Sequence, residues 1–228
     1  MILKKHVPNL LTLMNLSAGL FAILFAVVGD LKVAVYCIMA GILFDFFDGF
    51  VARLLNVQGE LGKQLDSLAD VVTSGVAPGM IWFVLLSRGF DYNFFQSQEF
   101  ILWPFVAFLC PLASAYRLAK FNIDTRQTDY FIGLPTPANA LLIGGMVFMP
   151  FELSLGLVYA VGIFGCIMLN AEIPLFSLKF KNYSWKDNKW TFVFLIFVTG
   201  LVVILGMASM SWIILLYVLW SILKNKFT

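Results

Sequence analysis

Long apolar segments, separated by short polar or Pro- and Gly-containing breaks, follow one another along nearly the whole chain. A transmembrane α-helix needs about 20 mostly apolar residues. The pattern therefore predicts an all-α, polytopic membrane helix bundle with about eight transmembrane helices. The predicted spans are residues 8–28, 33–55, 66–88, 100–121, 135–150, 153–170, 190–206 and 209–224. The pairs that meet near Phe151 and near Met207 fit either a tight helical hairpin or one long tilted helix.

The composition excludes an ordinary soluble protein. Hydrophobic residues make up 61% of the chain and charged residues only 12%, whereas soluble domains carry about 25% charged residues. Since the spans leave little chain for anything else, we expect residues 1–228 to form a single membrane domain. The net charge of +2 is small, and we expect no nucleic-acid partner. Cys37, Cys110 and Cys166 lie in apolar runs and predict no disulfide framework.

The positions of the basic residues predict an orientation. Cytoplasmic loops of membrane proteins carry an excess of Lys and Arg. If the N-terminus is cytoplasmic, eight spans place every Lys and Arg except Lys32 and Arg88 on the cytoplasmic side. The longest polar stretches, about 122–134 and 179–189, fall on that side too. Both termini are therefore predicted to be cytoplasmic.

Four carboxylates crowd the cytoplasmic ends of the second and third predicted spans. Acids inside a bilayer cost about 2.5 to 3.5 kcal/mol each on insertion scales, so they are rare without a function. Asp45 and Asp48 are three residues apart, and Asp66 and Asp70 are four apart, so each pair shares one helix face. The short connection 54–65 allows a helical hairpin. The four carboxylates are therefore predicted to face one cavity.

A divalent cation is the simplest way to hold such carboxylates together, because neighbouring like charges disfavour ionisation. Oxygen ligands suit magnesium, manganese or calcium, whereas zinc prefers His or Cys. The only histidine is His6, and no cysteine lies in the cluster. Two ions could clamp a diphosphate, and Arg53 could bind phosphate. Alternatively, individual carboxylates only pair with Arg53 or Lys63.

One motif spans the end of the second predicted helix and the start of the third. Its fixed positions are Asp45, Asp48, Gly49, Ala52, Arg53, Gly62, Asp66 and Asp70. The spacing D-x-x-D-G-x-x-A-R-x8-G-x3-D-x3-D resembles the signature of the CDP-alcohol phosphatidyltransferase family at every specified position. The resemblance covers nearly the whole chain and implies a six-helix family core followed by a C-terminal pair of helices.

The resemblance also implies roles for the motif. Asp45, Asp48 and Asp66, with Asp70 in part, would hold two divalent ions, magnesium or manganese, against the diphosphate of CDP-diacylglycerol. Asp70 would be the general base that takes the proton of the acceptor alcohol. CMP would leave with its charge stabilised by the ions and Arg53.

Further residues are expected near the CDP-diacylglycerol. The segment 8–15 is similar to the first helix of the family, and its polar residues at positions 12 and 15 can share one face. They could instead be small polar residues satisfied within a helix bundle. The expected CDP-diacylglycerol-binding set is Thr12, Asn15, Gly49, Ala52, Arg53 and Gly59.

Two later segments are similar to motifs of serine-accepting members of the family. Arg117-Leu-Ala-Lys120-Phe-Asn122 resembles R-L-A-R-F-N, and residues 131–140 contain a stretch like G-L-P-x-P-A. The resemblance implies transfer of the phosphatidyl group from CDP-diacylglycerol to L-serine, which gives phosphatidylserine and CMP. It further implies a homodimer, a cytoplasmic active site and, for a bacterial source, the cytoplasmic (inner) membrane.

Zwitterionic serine needs a cation for its carboxylate and acceptors for its ammonium group. Arg117 or Lys120 could supply the cation. One of the acceptors for the ammonium group could be Asn122, or a backbone carbonyl that Pro135 and Pro137 leave without a hydrogen-bond donor. Lys120 stands where Arg is common, and Lys cannot make a bidentate carboxylate contact. Basic residues at a cytoplasmic helix end are also expected from topology alone.

Other functions fit the sequence less well. A phosphorylated acceptor, glycerol 3-phosphate or inositol phosphate, would need a further basic cluster. A cation transporter would spread its acids across the membrane depth. A membrane prenyltransferase would lack the Asp48-Gly49 and Ala52-Arg53 steps, and a scaffold gives no reason to bury four carboxylates.

Overall fold

The chain folds as a predominantly helical bundle. The computed structural model describes residues 2–90, 101–124, 130–176 and 185–227. Parts of the predicted span 100–121 and of the polar stretches 122–134 and 179–189 lie outside these ranges, as do Arg126, Lys179 and Lys181 of the predicted cytoplasmic side.

The helices follow the order that the apolar segments predict. In the described ranges the α-helices are α1 (Ile2–Val27), α2 (Leu31–Leu54), α3 (Glu60–Asp70), α4 (Ala77–Gly89), α5 (Leu109–Ile123), α6 (Thr136–Met146), α7 (Leu155–Asn170), α8 (Trp185–Leu205) and α9 (Ser209–Phe227). A π-helical turn, Val71–Val76, joins α3 to α4. Short 3₁₀ turns, Trp103–Phe108 and Gly206–Ala208, precede α5 and α9.

Four helical segments in the described part of the chain are long and apolar enough to cross a membrane. They are His6–Val27, Leu31–Leu54, Glu60–Gly89 and Asn188–Lys224. The last two predicted spans share the fourth segment, and the predicted spans 100–121, 135–150 and 153–170 correspond to shorter helices, so length and composition alone identify four candidates. These four segments are characteristic of an integral membrane protein.

Both ambiguous pairs of predicted spans are helical hairpins. Trp190 and Trp220 lie at opposite ends of the last pair, yet their ring centroids are 5.5 Å apart, because the chain reverses near Gly206, where φ is +54°. At the start of α6, Leu134 donates a backbone hydrogen bond of 2.7 Å to Met168, near the end of α7. The α6–α7 pair is therefore antiparallel.

One small feature departs from an all-helical bundle. Strands β1 (Tyr130–Ile132) and β2 (Pro174–Phe176) pair antiparallel. Next to them, Gly133 has φ +73°, and a Cβ at this position would lie 2.7 Å from the carbonyl oxygen of Leu169. Glycine at this position therefore lets the segment before α6 close against the end of α7.

Small residues bring α1, α2 and the π-helical turn into close contact. A Cβ at Gly19 would lie 2.9 Å from the Cα of Thr73, and a Cβ at Gly41 would lie 2.5 Å from the Thr73 methyl carbon. Small residues at helix crossings let backbones approach closely in membrane proteins. The crossing places Asn15, on α1, against the region that follows Asp70.

Candidate functional site

The structure brings three of the four predicted carboxylates into one cluster. A short turn at residues 55–59 reverses the chain between α2 and α3, so that the last turns of α2 face the middle of α3. One carboxylate oxygen from each of Asp45, Asp48 and Asp66 lies within 4.8 Å of the others. Asp48 is buried and the other two are half-buried. We call Asp45, Asp48 and Asp66 the carboxylate cluster.

Asp70 lies one helical turn beyond Asp66, at the point where α3 gives way to the π-helical turn. Its carboxylate is buried, and its Oδ1 accepts a hydrogen bond of 3.2 Å from Asn15 Nδ2. Thr73, within the π-helical turn, donates its hydroxyl to the Asn15 backbone carbonyl at 2.9 Å. Two contacts between α1 and the α3–π segment therefore fix the position of Asp70. Single π turns inside helices are frequent at functional sites.

Two buried side chains of α1 donate to the carboxylates. Thr12 Oγ1 lies 2.5 Å from Asp48 Oδ2 and 3.1 Å from the carbonyl oxygen of Pro8. A hydroxyl has one proton, and the shorter contact to the charged acceptor identifies Asp48 as its acceptor. Asn15 donates to Asp70 in the same way. The sequence placed both residues on one face of α1 near the nucleotide, but it did not predict these carboxylate partners.

The chemistry of the carboxylate cluster fits a divalent cation. Within the residues that the structure describes, none of the four aspartates forms an ion pair, and the buried Asp66 Oδ1 has no hydrogen-bond partner. Lys63 does not neutralise the cluster, because its Nζ donates to the Asn122 carbonyl oxygen at 2.8 Å. Three converging carboxylates without a basic partner form an all-oxygen donor set of the kind that magnesium or manganese prefers.

The predicted phosphate-binding residues border open space beside the carboxylate cluster. Arg53 is exposed at the end of α2, and its guanidinium lies over Gly49 of the preceding turn. Ala52, which lies between Gly49 and Arg53 in the sequence, is half-buried. Gly59 precedes the first residue of α3, and a Cβ there would meet no atom within 4 Å. The end of α2 and the residue before α3 are therefore accessible to a ligand.

Arg117 lies deep in the bundle, on α5. It is 7% exposed, and its Nε has no hydrogen-bond partner among the described residues. Its guanidinium carbon lies 5.7 Å from the centroid of the Phe121 ring, and its charge interacts with that of Asp70. A buried cation beside the candidate base is suited to bind an anionic group of a small substrate.

The other two predicted serine-binding residues have protein partners. Lys120 Nζ lies 2.9 Å from Glu172 Oε1 in an ion pair at the surface. Asn122 Nδ2 donates to Ser67 Oγ at 2.8 Å, which ties α5 to α3.

Sequence reasoning did not single out Asn170, which ends α7. Its Nδ2 donates to the Ala113 carbonyl oxygen at 3.0 Å, while its Oδ1 is buried without a partner in the described part of the chain. The only sequence signal is a polar residue closing an apolar run.

Comparisons with known proteins agree with the geometry. The family model described as CDP-alcohol phosphatidyltransferase matches residues 5–223. The chain is 35% identical over 158 residues to the CDP-diacylglycerol–serine O-phosphatidyltransferase of Bacillus subtilis (strain 168), covering 67% of this chain and 82% of the relative. It is 31% identical over 229 residues to the protein of that name from Helicobacter pylori (strain J99), covering 95% and 90%. It is also 30% identical to the archaetidylserine synthase of Methanothermobacter thermautotrophicus, covering 73% and 69%. The chain therefore belongs to the CDP-alcohol phosphatidyltransferase family.

Proposed function

We propose that this protein is a membrane enzyme that transfers the phosphatidyl group of CDP-diacylglycerol to the hydroxyl of L-serine, giving phosphatidylserine and CMP. The observation that carries the proposal is the carboxylate cluster beside Asp70, formed by the family signature and lacking a basic partner in the described residues. The relatives named for serine transfer, from two bacterial species, support serine as the acceptor.

Asp45, Asp48 and Asp66, with Asp70 in part, are proposed to hold two divalent cations, magnesium or manganese. Bound there, such cations supply positive charge to the diphosphate and to the departing CMP. Thr12 holds Asp48 in a fixed orientation through its hydroxyl. A neighbouring donor of this kind orients a ligand carboxylate and tunes cation affinity.

Asp70 is proposed as the general base. Its Oδ1 is held by Asn15, which leaves the second carboxylate oxygen to accept the proton of the serine hydroxyl. The serine oxygen then forms a bond to the phosphorus that carries diacylglycerol. The bond from that phosphorus to the bridging oxygen of CMP breaks, and CMP leaves with the electron pair.

Arg53, Gly49, Ala52 and Gly59 are proposed to border the nucleotide and its phosphates, together with Thr12 and Asn15. The guanidinium of Arg53 suits two phosphate oxygens at once. The open space at Gly59 allows a ligand to approach the backbone closely.

Serine is proposed to bind beside Arg117, which pairs with its carboxylate. Lys120 and Asn122 then act mainly through their protein partners, Glu172 and Ser67. A phosphorylated acceptor would require more than one available cation at this position. The pairing of Lys120 with Glu172 therefore favours a zwitterionic acceptor.

The proposed topology has eight spans, with both termini and the active site on the cytoplasmic face. Two contacts between turns support it. Arg88 donates to the Gly29 carbonyl oxygen at 2.7 Å, which joins the two turns assigned to the opposite side. Lys63 contacts Asn122, which joins two segments assigned to the cytoplasm. We further propose a homodimer and, for a bacterial source, the cytoplasmic membrane.

An acceptor comparison tests the proposed function. Purified protein with magnesium or manganese and CDP-diacylglycerol receives serine, glycerol 3-phosphate or inositol phosphate in parallel reactions. We expect CMP release and a new phospholipid with serine, and little of either with the two phosphorylated alcohols. Turnover with only one of the phosphorylated alcohols would reject serine as the acceptor.

A further inference from the structure

A small cleft lies beside α5, between β1 and the end of α7. Its walls combine apolar side chains with a few polar groups. The lining residues are Arg117, Lys120, Phe121, Ile132, Leu169, Asn170 and Ala171. The enclosed part of the cleft is only about 10 Å³ and the rest is open to solvent, so a small ligand would occupy its open mouth, where a few polar groups could fix its orientation.

Two of the polar groups have unused hydrogen-bonding capacity. Arg117 is 7% exposed, and its buried Nε has no acceptor in the described part of the chain. The buried Oδ1 of Asn170 has no donor within the same residues. Buried polar atoms are nearly always paired. A ligand at the cleft that carries both an acceptor and a donor would satisfy these two atoms, whose residues line it.

The orientation of the Asn170 amide is set by α5. Its Nδ2 donates to the carbonyl oxygen of Ala113 at 3.0 Å, and Ala113 lies one helical turn before Arg117. This bond occupies the donor end of the amide and leaves Oδ1, which can only accept hydrogen bonds. Arg117 can only donate. Helix α5 therefore holds both groups: Arg117 donates hydrogen bonds, and Asn170 Oδ1 accepts them.

Lys120 also lines the cleft, but it replaces neither the donor function of Arg117 nor the acceptor function of Asn170. Lys120 is paired with Glu172, whose side chain is 66% exposed. Exposed ion pairs contribute little to recognition compared with buried groups. The polar groups of the cleft that hold an unpaired buried atom are therefore Arg117 and Asn170.

We propose that Asn170 is a specificity-determining residue: its Oδ1 accepts a hydrogen bond from the ammonium group of the acceptor amino acid while Arg117 binds the carboxylate. This inference rests on the proposed function. The pair recognises a free α-amino acid by both of its charged groups. Arg117 also lies near enough to Asp70 for their charges to interact, so the proposed recognition site lies toward the candidate base.

Acceptors that lack one charged group test the assignment. Ethanolamine lacks the carboxylate of serine, and 3-hydroxypropionate lacks its ammonium group. Wild-type protein is expected to use or bind both at least about ten-fold more weakly than serine, because each leaves one buried polar group unpaired. Equal use of serine and 3-hydroxypropionate by the wild type would overturn the role of Asn170 without any variant.

The decisive variants are Asn170→Leu, which preserves volume, and Asn170→Ala, which also relieves any crowding. For each we expect a KM for serine raised at least about ten-fold. The KM for CDP-diacylglycerol should change by less than about two-fold. The preference for serine over 3-hydroxypropionate should fall, while the preference for serine over ethanolamine is retained. A merely structural role would weaken all acceptors alike. Thr199→Val, at an exposed position on α8, is the control for membrane folding.

The outcomes separate this inference from the proposed function. If wild-type protein does not use serine at all, the proposed function fails. If it uses serine, but both Asn170 variants keep the full preference for serine over 3-hydroxypropionate, Asn170 does not read the ammonium group and the inference is overturned.

Discussion

At the level of single residues, hydrogen-bond donors on α1 orient the carboxylates of the site. Thr12 and Asn15 are three residues apart on α1, and each donates to an aspartate on a different helix, Asp48 on α2 and Asp70 on α3. One face of α1 therefore sets the orientation of two carboxylates at once. Their positions on that face follow from helical spacing, but their acceptors depend on how α1 crosses the other helices.

Thr12→Val tests this arrangement, because valine keeps the shape of threonine and removes the donor. Loss of such a partner to a ligand carboxylate costs about 10- to 100-fold in cation affinity or activity. We expect a shift of that size in the manganese concentration that half-saturates CMP release. Ser17→Ala is the control, because its hydroxyl is exposed on the same helix and, among the described residues, bonds only to the Leu13 carbonyl oxygen. Equal cation dependence of the two variants would contradict a role for Thr12.

Arg117→Lys tests the proposed carboxylate contact. Lysine keeps the positive charge but loses the planar pair of donors that matches a carboxylate. We expect the KM for serine to rise about ten-fold while the KM for CDP-diacylglycerol stays nearly constant. Steady-state kinetics with each substrate varied in turn measures both values. A rise in the CDP-diacylglycerol KM alone would assign Arg117 to the nucleotide instead.

At the scale of secondary-structure elements, the π-helical turn after Asp70 and the glycines that face it assemble the site. Gly19 and Gly41 allow α1 and α2 to approach Thr73, which binds the Asn15 backbone. The sequence predicts the helices on either side of Asp70 from their apolar periodicity. It does not predict the π turn, because the sequence pattern of Val71–Val76 is that of an ordinary continuation of the helix.

Gly41→Val is expected to disrupt this crossing. A Cβ at Gly41 would lie 2.5 Å from the Thr73 methyl carbon and 2.9 Å from Asn15 Oδ1, and such overpacking costs about 1 to 3 kcal/mol. We expect a lower free energy of unfolding and reduced activity, measured in detergent by denaturation and by CMP release. Gly156→Ala is the matched control, since a Cβ there meets no atom within 4 Å. Equal stability of both variants would show that the crossing tolerates a side chain.

At the scale of the whole molecule, much of the architecture was predictable, since long apolar runs and the spacing of four aspartates specify helices and shared faces. The convergence of Asp45, Asp48 and Asp66 follows from that spacing together with a short connection. Other features depend on contacts between segments far apart in sequence, which local patterns do not encode. The Lys120–Glu172 ion pair, the β1–β2 pair and the position of Asn170 at the cleft belong to this group.

The proposed orientation makes a prediction for the intact membrane. In a cysteine-free background, Lys32→Cys should react with a membrane-impermeant maleimide added to intact cells, because Lys32 is exposed in the first turn of α2, at the end assigned to the outer side. Glu60→Cys, at the exposed first residue of α3, the end assigned to the cytoplasm, should react only after the membrane is permeabilised. The opposite pattern of labelling would invert the topology.

The converging carboxylates of α2 and α3 are proposed to drive phosphatidyl transfer with a divalent cation. The most direct measurement is the rate of CMP release from CDP-diacylglycerol and serine by EDTA-treated protein as magnesium or manganese is restored. We expect no release without added cation, saturable recovery for the wild type, and a rate at least about 100-fold lower for Asp66→Asn at the same cation concentration. Full activity in EDTA, or an undiminished rate for Asp66→Asn, would contradict it.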